Sequence, residues 1–367
     1  MTVSRETYRP PVLPRRPSRT LIAALVISGL VALFILAAML LSGGPADFGL
    51  SALLAVGPLP VLLAAVLALD RLEPEPRLHL VFAFVWGGGI AVALAILLTI
   101  LGEGMFAGVG LAAQRVNDVG LVVVAPVVEE ALKGSALLLL LRRRREIDGL
   151  TDGIIYAAMA GLGFAAVENV GYYLAAFQAD GTNGALTLFV LRGLVAPLGH
   201  PVYTAMIGIG VAYAVTRSGP GRYAAVPLGY LAAVLLHGLW NGMAVLSSPG
   251  GLAIVYFLLL AVIIVLVVVT VRERKQLLAR IGAYLPLYEA TGLVTAQDVG
   301  MLGSLGARRR ARRRAGRAMG DYQQAATELA MLHQRAERGG MDLEEFGAER
   351  DALLSVMASA RAAMTPT

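Results

Sequence analysis

The sequence predicts an all-α fold: a polytopic membrane helix bundle of about eight transmembrane helices with a small cytoplasmic helical tail. Three observations carry that expectation. Hydrophobic residues make up 57% of the 367 residues and charged residues only 15%, where soluble domains carry about a quarter charged. Mean hydropathy is +0.71. The apolar residues also fall in long runs, each close to the ~20 residues a helix needs to cross ~30 Å of hydrocarbon.

A basic, proline-rich leader occupies residues 1–19. The run behind it is longer than the 7–15 apolar residues of a signal peptide, so a retained anchor is expected. The membrane domain is expected over 20–272, with spans at roughly 20–42, 47–69, 78–101, 119–141, 152–177, 190–216, 224–246 and 251–271. Its polar core falls at 119–246. The segment "EGMFAGVGLAAQRVND" at 103–118 is weakly amphipathic and is compatible with an interfacial helix, a re-entrant piece or a loop.

Orientation follows from arginine placement. Thirteen arginines (residues 5, 9, 15, 16, 19, 71, 77, 142–145, 217 and 222) precede the first span or follow spans two, four and six; the alternate loops hold only Arg115 and Arg192. Both termini are therefore expected in the cytoplasm, with the protein in the plasma membrane.

The tail, 273–367, has a different composition. "ARRRARRRAGR" places seven arginines within 307–317, whereas 321–367 carries eight acidic and four basic side chains. Such a run beside a membrane domain is expected to meet anionic lipid, each charge contributing ~1 kcal/mol near the surface; no nucleic-acid partner is expected. Leu329, Leu332, Leu353, Leu354 and Val356 recur at roughly helical spacing.

Polar groups inside the spans single out a site. In "VVVAPVVEEALKGSALLLLLRRRR", 122–145, Glu129 and Glu130 sit mid-span with Lys133 a turn further on. Each charge costs about 2.5–3.5 kcal/mol at a helix centre. Lys133 shares the glutamates' side of the helix and can pair with either. "GFAAVENVGYY" adds Glu168 and Asn169, "RGLVAPLGHPVYTAM" adds His200, and "HGLWNGM" adds His237 and Asn241 on one helix face. Counted from the outer ends of their spans, Glu129, Glu168, His200 and His237 share one layer ~15 Å deep. Ionisable groups at that depth point to function. Pro126 and Pro201 are expected to free backbone carbonyls, and Gly134, Gly161, Gly163, Gly208 and Gly210 to allow close helix approach. His79 is expected only at the inner interface, and His333 lies in the tail. No cysteine is present, which excludes thiolate chemistry.

Taken in order, "EEALK", "FAAVEN", "GHP" and "HGLWN", with "DRLEPEPR" at 70–77 and "DGLTDGIIYAAMAGLGFA" at 148–165, resemble the PrsW family of intramembrane proteases. That family is itself distantly similar to the CAAX prenyl endopeptidases and bacteriocin-immunity proteases. The resemblance covers about 70–245. It implies peptide-bond hydrolysis within the membrane, acting on a single-pass protein such as a membrane-anchored anti-sigma factor. By position it places Glu129, Glu130, His200 and His237 in the catalytic set, with Glu168, Asn169 and Asn241 supporting.

Two mechanisms stay open. A glutamate pair can share a proton and work as base and acid, with Glu129 on water, Glu130 or Lys133 tuning it, and the histidines with Asn241 facing the oxyanion. Alternatively, His200, His237 and Glu129 or Glu168 make a plausible set for a divalent metal such as zinc, without an HExxH helix. Glu168, Asn169 and Asn241 also read as interhelical hydrogen-bonding groups. The alternative function is a proton- or ion-coupled transporter built on the same Glu, His and Lys groups. Its repeated halves find no counterpart in spans one to three.

Overall fold

The computed structural model describes residues 18–69, 75–141, 147–337 and 341–364. The leader before Ser18, most of the "DRLEPEPR" loop and the arginines at 71 and 142–145 lie outside them. All regular structure among the described residues is helical. The chain divides into two compact units, one of Pro17–Asp70 with Pro74–Thr270 and one formed chiefly by Val271–Thr367.

In the larger unit, α1 (Arg19–Val56) starts at Ser18, whose Oγ accepts from the Leu21 amide at 3.1 Å. It breaks at Gly44, φ 78°, where Pro45 follows. α2 is Leu59–Leu67; α3 (Arg77–Trp86) continues through a π-turn, Gly87–Ala91, into α4 (Val92–Gly108). The 103–118 segment becomes the end of α4 followed by α5 (Ala113–Val119), which runs through a second π-turn, Gly120–Val124, into α6 (Ala125–Leu140). α7 spans Leu150–Phe189 with a break at Asp180–Gly181. A third π-turn, Val190–Val195, precedes α8 (Gly199–Thr216); α9 (Gly221–Val245) and α10 (Pro249–Tyr284) follow.

Among the described residues, five stretches are long and apolar enough to cross a membrane: Arg19–Leu67, Arg77–Gly108, Leu150–Thr216, Gly221–Val245 and Pro249–Thr291. The expected span at 119–141 is not among them. Its straight helix, α6, has 16 residues and carries three charged side chains.

α7 is the axis of this unit. Every residue from Gly153 to Ala165 is buried, as expected of a helix that is apolar on all sides. It packs against α1, α3 and α8. By contrast Phe34 and Leu41 on α1 are 74% and 85% exposed, a face suited to lipid.

In the second unit, α11 (Ala296–Leu302), α12 (Leu305–Glu337) and α13 (Leu343–Met364) share a core with Leu277, Ile281 and Leu285. Leu329, Leu332, Leu353 and Val356 are buried there and Leu354 partly so. Burial pushes the Tyr322 phenol up to about 12, so it stays protonated and donates to the Leu293 carbonyl at 2.8 Å.

Candidate active site

The site is assembled from four helices, α6 to α9, and two of them, α6 and α8, are preceded by irregular backbone. Pro126 has no N–H to give Val122, and the turn before α6 widens to the π form over Gly120–Val124. Two residues of α9 use the result. Asn241 Nδ2 donates to the Leu121 carbonyl at 2.9 Å, and Gly238 lies so close that a Cβ there would come within 2.9 Å of the Val122 oxygen. On the other side, a Cβ on Gly161 of α7 would meet the His200 carbonyl at 2.7 Å. Glycine at these two positions brings α9 and α8 close enough for His237 and His200 to reach the glutamates.

The sequence had suggested that Pro201 frees a carbonyl within a continuous span. Instead α8 begins at Gly199, so Pro201 sits in the first turn, where a missing N–H costs nothing. It starts the helix and places His200 beside it.

Lys133 lies at the centre, fully buried with Glu130, while Glu129 is nearly so. Its Nζ donates to Glu130 Oε1 at 2.7 Å and to Glu129 Oε2 at 3.2 Å, and stands 2.9 Å from His200 Nδ1. An ammonium has three protons and no lone pair, so His200 Nδ1 must accept. Its other nitrogen, Nε2, then carries the proton and donates to Glu168 Oε2 at 3.0 Å. His237 Nδ1 lies 3.0 Å from Glu130 Oε1 and donates to that carboxylate, leaving Nε2 as a free acceptor 3.9 Å from Glu129 Oε2. The network thus fixes both tautomers.

The two glutamates are not equivalent. Glu130 accepts from Lys133, from His237 and, at 2.9 Å, from Thr204 Oγ1. Glu129 accepts from Lys133 alone among these donors. Aromatic rings enclose the cluster: Lys133 Nζ stands 4.1 Å over Phe164, and Tyr203 stacks on His237 at 4.9 Å. A cleft of about 20 Å³ lies beside both imidazoles, lined also by Asn169, Arg192, Tyr203, Trp240 and Asn241. That is room for one water.

Six sequence-predicted residues, Glu129, Glu130, Lys133, Glu168, His200 and His237, form one connected network. Asn169 joins it through Arg192, and Asn241 lines the cleft while its amide holds Leu121. His79 is buried elsewhere, its ring 6.4 Å from Tyr156, and His333 packs in the tail against Tyr284. Two partners escaped the sequence reading. Thr204 lies four residues after His200, a spacing that already put it on the same helix face. Arg192 reads in the sequence as a loop arginine, yet its Nη2 lies 2.5 Å from Glu168 Oε2.

Glu129, His200 and His237 can each turn one donor atom to a common point, all within 4.8 Å of one another. Two imidazoles and a carboxylate are a usual zinc set with one position left open. Carboxylates stand behind both imidazoles, Glu168 on His200 and Glu130 on His237, as metal-bound histidines generally require. The residues fit a divalent metal, and in this structure Lys133 is the cation that faces His200 Nδ1.

Thr204→Val keeps the shape and removes one of the three donors to a buried carboxylate. A loss of about 1–3 kcal/mol is expected, read as a lower melting temperature of the detergent-solubilised protein; an unchanged melt would contradict the reading of Glu130 as the saturated anchor.

Comparison with known proteins places the chain in a family. Protease PrsW of Clostridioides difficile (strain 630) is 27% identical over 191 residues, 52% of this chain and 76% of that protein. Protease PrsW of Oceanobacillus iheyensis is 30% identical over 114 residues, 31% of this chain and 49% of that protein. No solved structure matches. Residues 75–269 match the PrsW family intramembrane metalloprotease profile, which is more than half of the chain and includes every residue of the cluster: the chain belongs to the PrsW family of intramembrane proteases and is a membrane-embedded peptidase.

Proposed function

We propose that the cluster hydrolyses a peptide bond of a single-pass membrane-anchored protein, for example an anti-sigma-factor-like regulator, with Glu129 as the general base on water. The observation that carries this is the inequality of the two glutamates. Glu130 is saturated by Lys133, His237 and Thr204 and serves as anchor. Glu129 keeps lone pairs free next to His237 Nε2. Three carboxylates face two permanent cations, Lys133 and Arg192, so with neutral imidazoles the cluster is one proton short of neutrality.

Glu129 takes a proton from the attacking water as its oxygen bonds to the carbonyl carbon. The second amide proton of Asn241 meets the oxyanion, and His237 Nε2, an acceptor in the resting network, joins it only after taking up a proton. As the C–N bond breaks, the proton passes to the departing amine, and Glu129 is returned as carboxylate. Glu129, His200 and His237 are also the residues that would hold a divalent metal such as zinc, which supplies Lewis acidity and a more acidic water when bound. Family membership disfavours the transporter alternative.

The same reading places eight crossings in the plasma membrane with both termini cytoplasmic. Arg19–Leu67 and Leu150–Thr216 would be ~74 and ~100 Å as straight helices, more than twice the ~30 Å core. The breaks at Gly44 and Asp180–Gly181 divide each into two, and α5 with α6 adds the charged crossing.

Purified wild type and Glu129→Gln, incubated with labelled single-span peptides and read by mass spectrometry, test the assignment. Glu129→Gln should lose about 10²–10⁴-fold in cleavage rate, and equal cutting would remove Glu129 as base. Cleavage resistant to a zinc chelator supports metal-free catalysis. Cleavage lost to chelator and restored by zinc assigns these three residues to a metal instead.

A further inference from the structure

We propose that Arg192 is a positioning residue of the hydrolytic centre, holding Glu168 in place and through it setting the tautomer and orientation of His200. The inference rests on the proteolytic reading above. Arg192 sits on the π-turn Val190–Val195, between α7 and α8. A lone arginine on such an irregular segment at a span's outer end would ordinarily turn to water. Here its side chain is 15% exposed. Nη2 donates to Glu168 Oε2 at 2.5 Å, Nε donates to Asn169 Oδ1 at 2.8 Å, and the guanidinium lies 4.0 Å over the Tyr172 ring. Three neighbours on one helix thus fix a planar group in a single orientation, which a point-charge lysine cannot reproduce.

The consequence lies one bond further in. The Glu168 oxygen that accepts from Arg192 is the one facing His200 Nε2 at 3.0 Å. An acceptor held there requires the proton on Nε2, which leaves the Nδ1 lone pair for Lys133. Without the guanidinium, Glu168 is free to rotate and His200 loses the acceptor that selects its tautomer. A proton on Nδ1 would then point at the Lys133 ammonium. Arg192 therefore acts on the imidazole through a carboxylate, as supporting residues do around catalytic histidines.

Arg192→Met, Arg192→Lys and Glu168→Gln separate this role from simple packing. On a peptide that wild type cleaves, Arg192→Met should lower kcat by about 10–100-fold with KM little changed, and Arg192→Lys should retain an intermediate rate. Arg192→Met added to Glu168→Gln should cost nothing further. A loss confined to KM, or full additivity with Glu168→Gln, would overturn the proposal. A readout independent of cleavage comes from ¹⁵N-histidine labelling of the full chain, which has four histidines. The His200 signals should show the Nε2–H tautomer in wild type and a mixture in Arg192→Met. Identical spectra would overturn the proposal whether or not a peptide is cut, whereas the expected spectral change without any cleavage would leave Arg192 in its role and count against the proteolytic assignment.

A separate observation in the tail carries a second inference: the arginine run of α12 is a docking surface for anionic membrane lipid. Arg308 turns inward, donating to Thr327 Oγ1 at 2.9 Å, and Arg312 donates from its Nε to the buried Gln323 Oε1 at 2.7 Å. Arg309, Arg310, Arg312, Arg313, Arg314 and Arg317 are exposed. Arg317 reaches Asp321 at 4.0 Å, and the other five exposed arginines pair with no carboxylate among the described residues. Residues 305–319 contain no aromatic side chain on which bases could stack, and the run is tethered to a membrane domain, so phospholipid headgroups fit it better than nucleic acid. Full-length protein in discs of neutral lipid, or with ~30% anionic lipid, can be nicked with trypsin within 309–317. Slower nicking in anionic discs, reversed by salt, is expected. Equal rates in both discs, or equal protection in neutral discs by inorganic phosphate or by single-stranded RNA, would overturn it.

Discussion

The Lys133 ammonium is the interaction on which the membrane unit depends. Its three protons go to Glu129, Glu130 and His200, and through them it ties α6 to α8 and, by way of Glu130 and His237, to α9. Removing one member of a buried ionic group typically costs about 3–5 kcal/mol, because the others are left charged and unpaired. Two carboxylates persist in an apolar helix because a cation three and four residues away shares their side, and because Thr204 and His237 complete the shell of Glu130. The same distribution creates the chemical asymmetry. One carboxylate is locked and the other is only tethered.

Around that group the helices are irregular in the places where they must be. The π-turn at Gly120–Val124 offers carbonyls that Asn241 and Gly238 of α9 approach directly, and the break before Gly199 lets α8 begin beside the cluster. Irregular backbone is tolerated at membrane depth where it lines a polar cavity, and here the stretch leading into α8, with Ala196, Pro197 and Gly199, lines the cleft beside the two imidazoles. α7 closes the other side with Phe164 and Glu168, and Glu168 passes the hold of Arg192 on to His200.

Much of this was legible in the sequence because the membrane makes polarity conspicuous. Glutamates, a lysine and histidines within apolar runs stand out, and counting residues from the span ends brought four of them to one depth. Helix geometry put Lys133 on the right side of the pair. Pro126 announces a freed carbonyl, but the form that backbone irregularity takes could not be read. Pro201 looks the same whether it bends a helix or begins one, and nothing in "GLVVV" announces a π-turn. Arg192 was lost for a related reason: at a span's end a charge is normally solvated, so only the three-dimensional return of Val190–Val195 toward Glu168 shows that it belongs to the site.

The measurement that bears most directly on Lys133 as the organising cation is a double-mutant cycle on thermal stability. It would use Lys133→Met, Glu130→Gln and the pair together, each as purified full-length protein in one detergent. If Lys133 compensates the buried carboxylates, Lys133→Met alone should melt far below wild type. Adding Glu130→Gln should then recover much of the loss, a coupling above the ~0.5 kcal/mol scatter of independent sites. Strictly additive losses would mean that the ammonium and the carboxylate are not holding each other in the membrane, and the account built on them would fail.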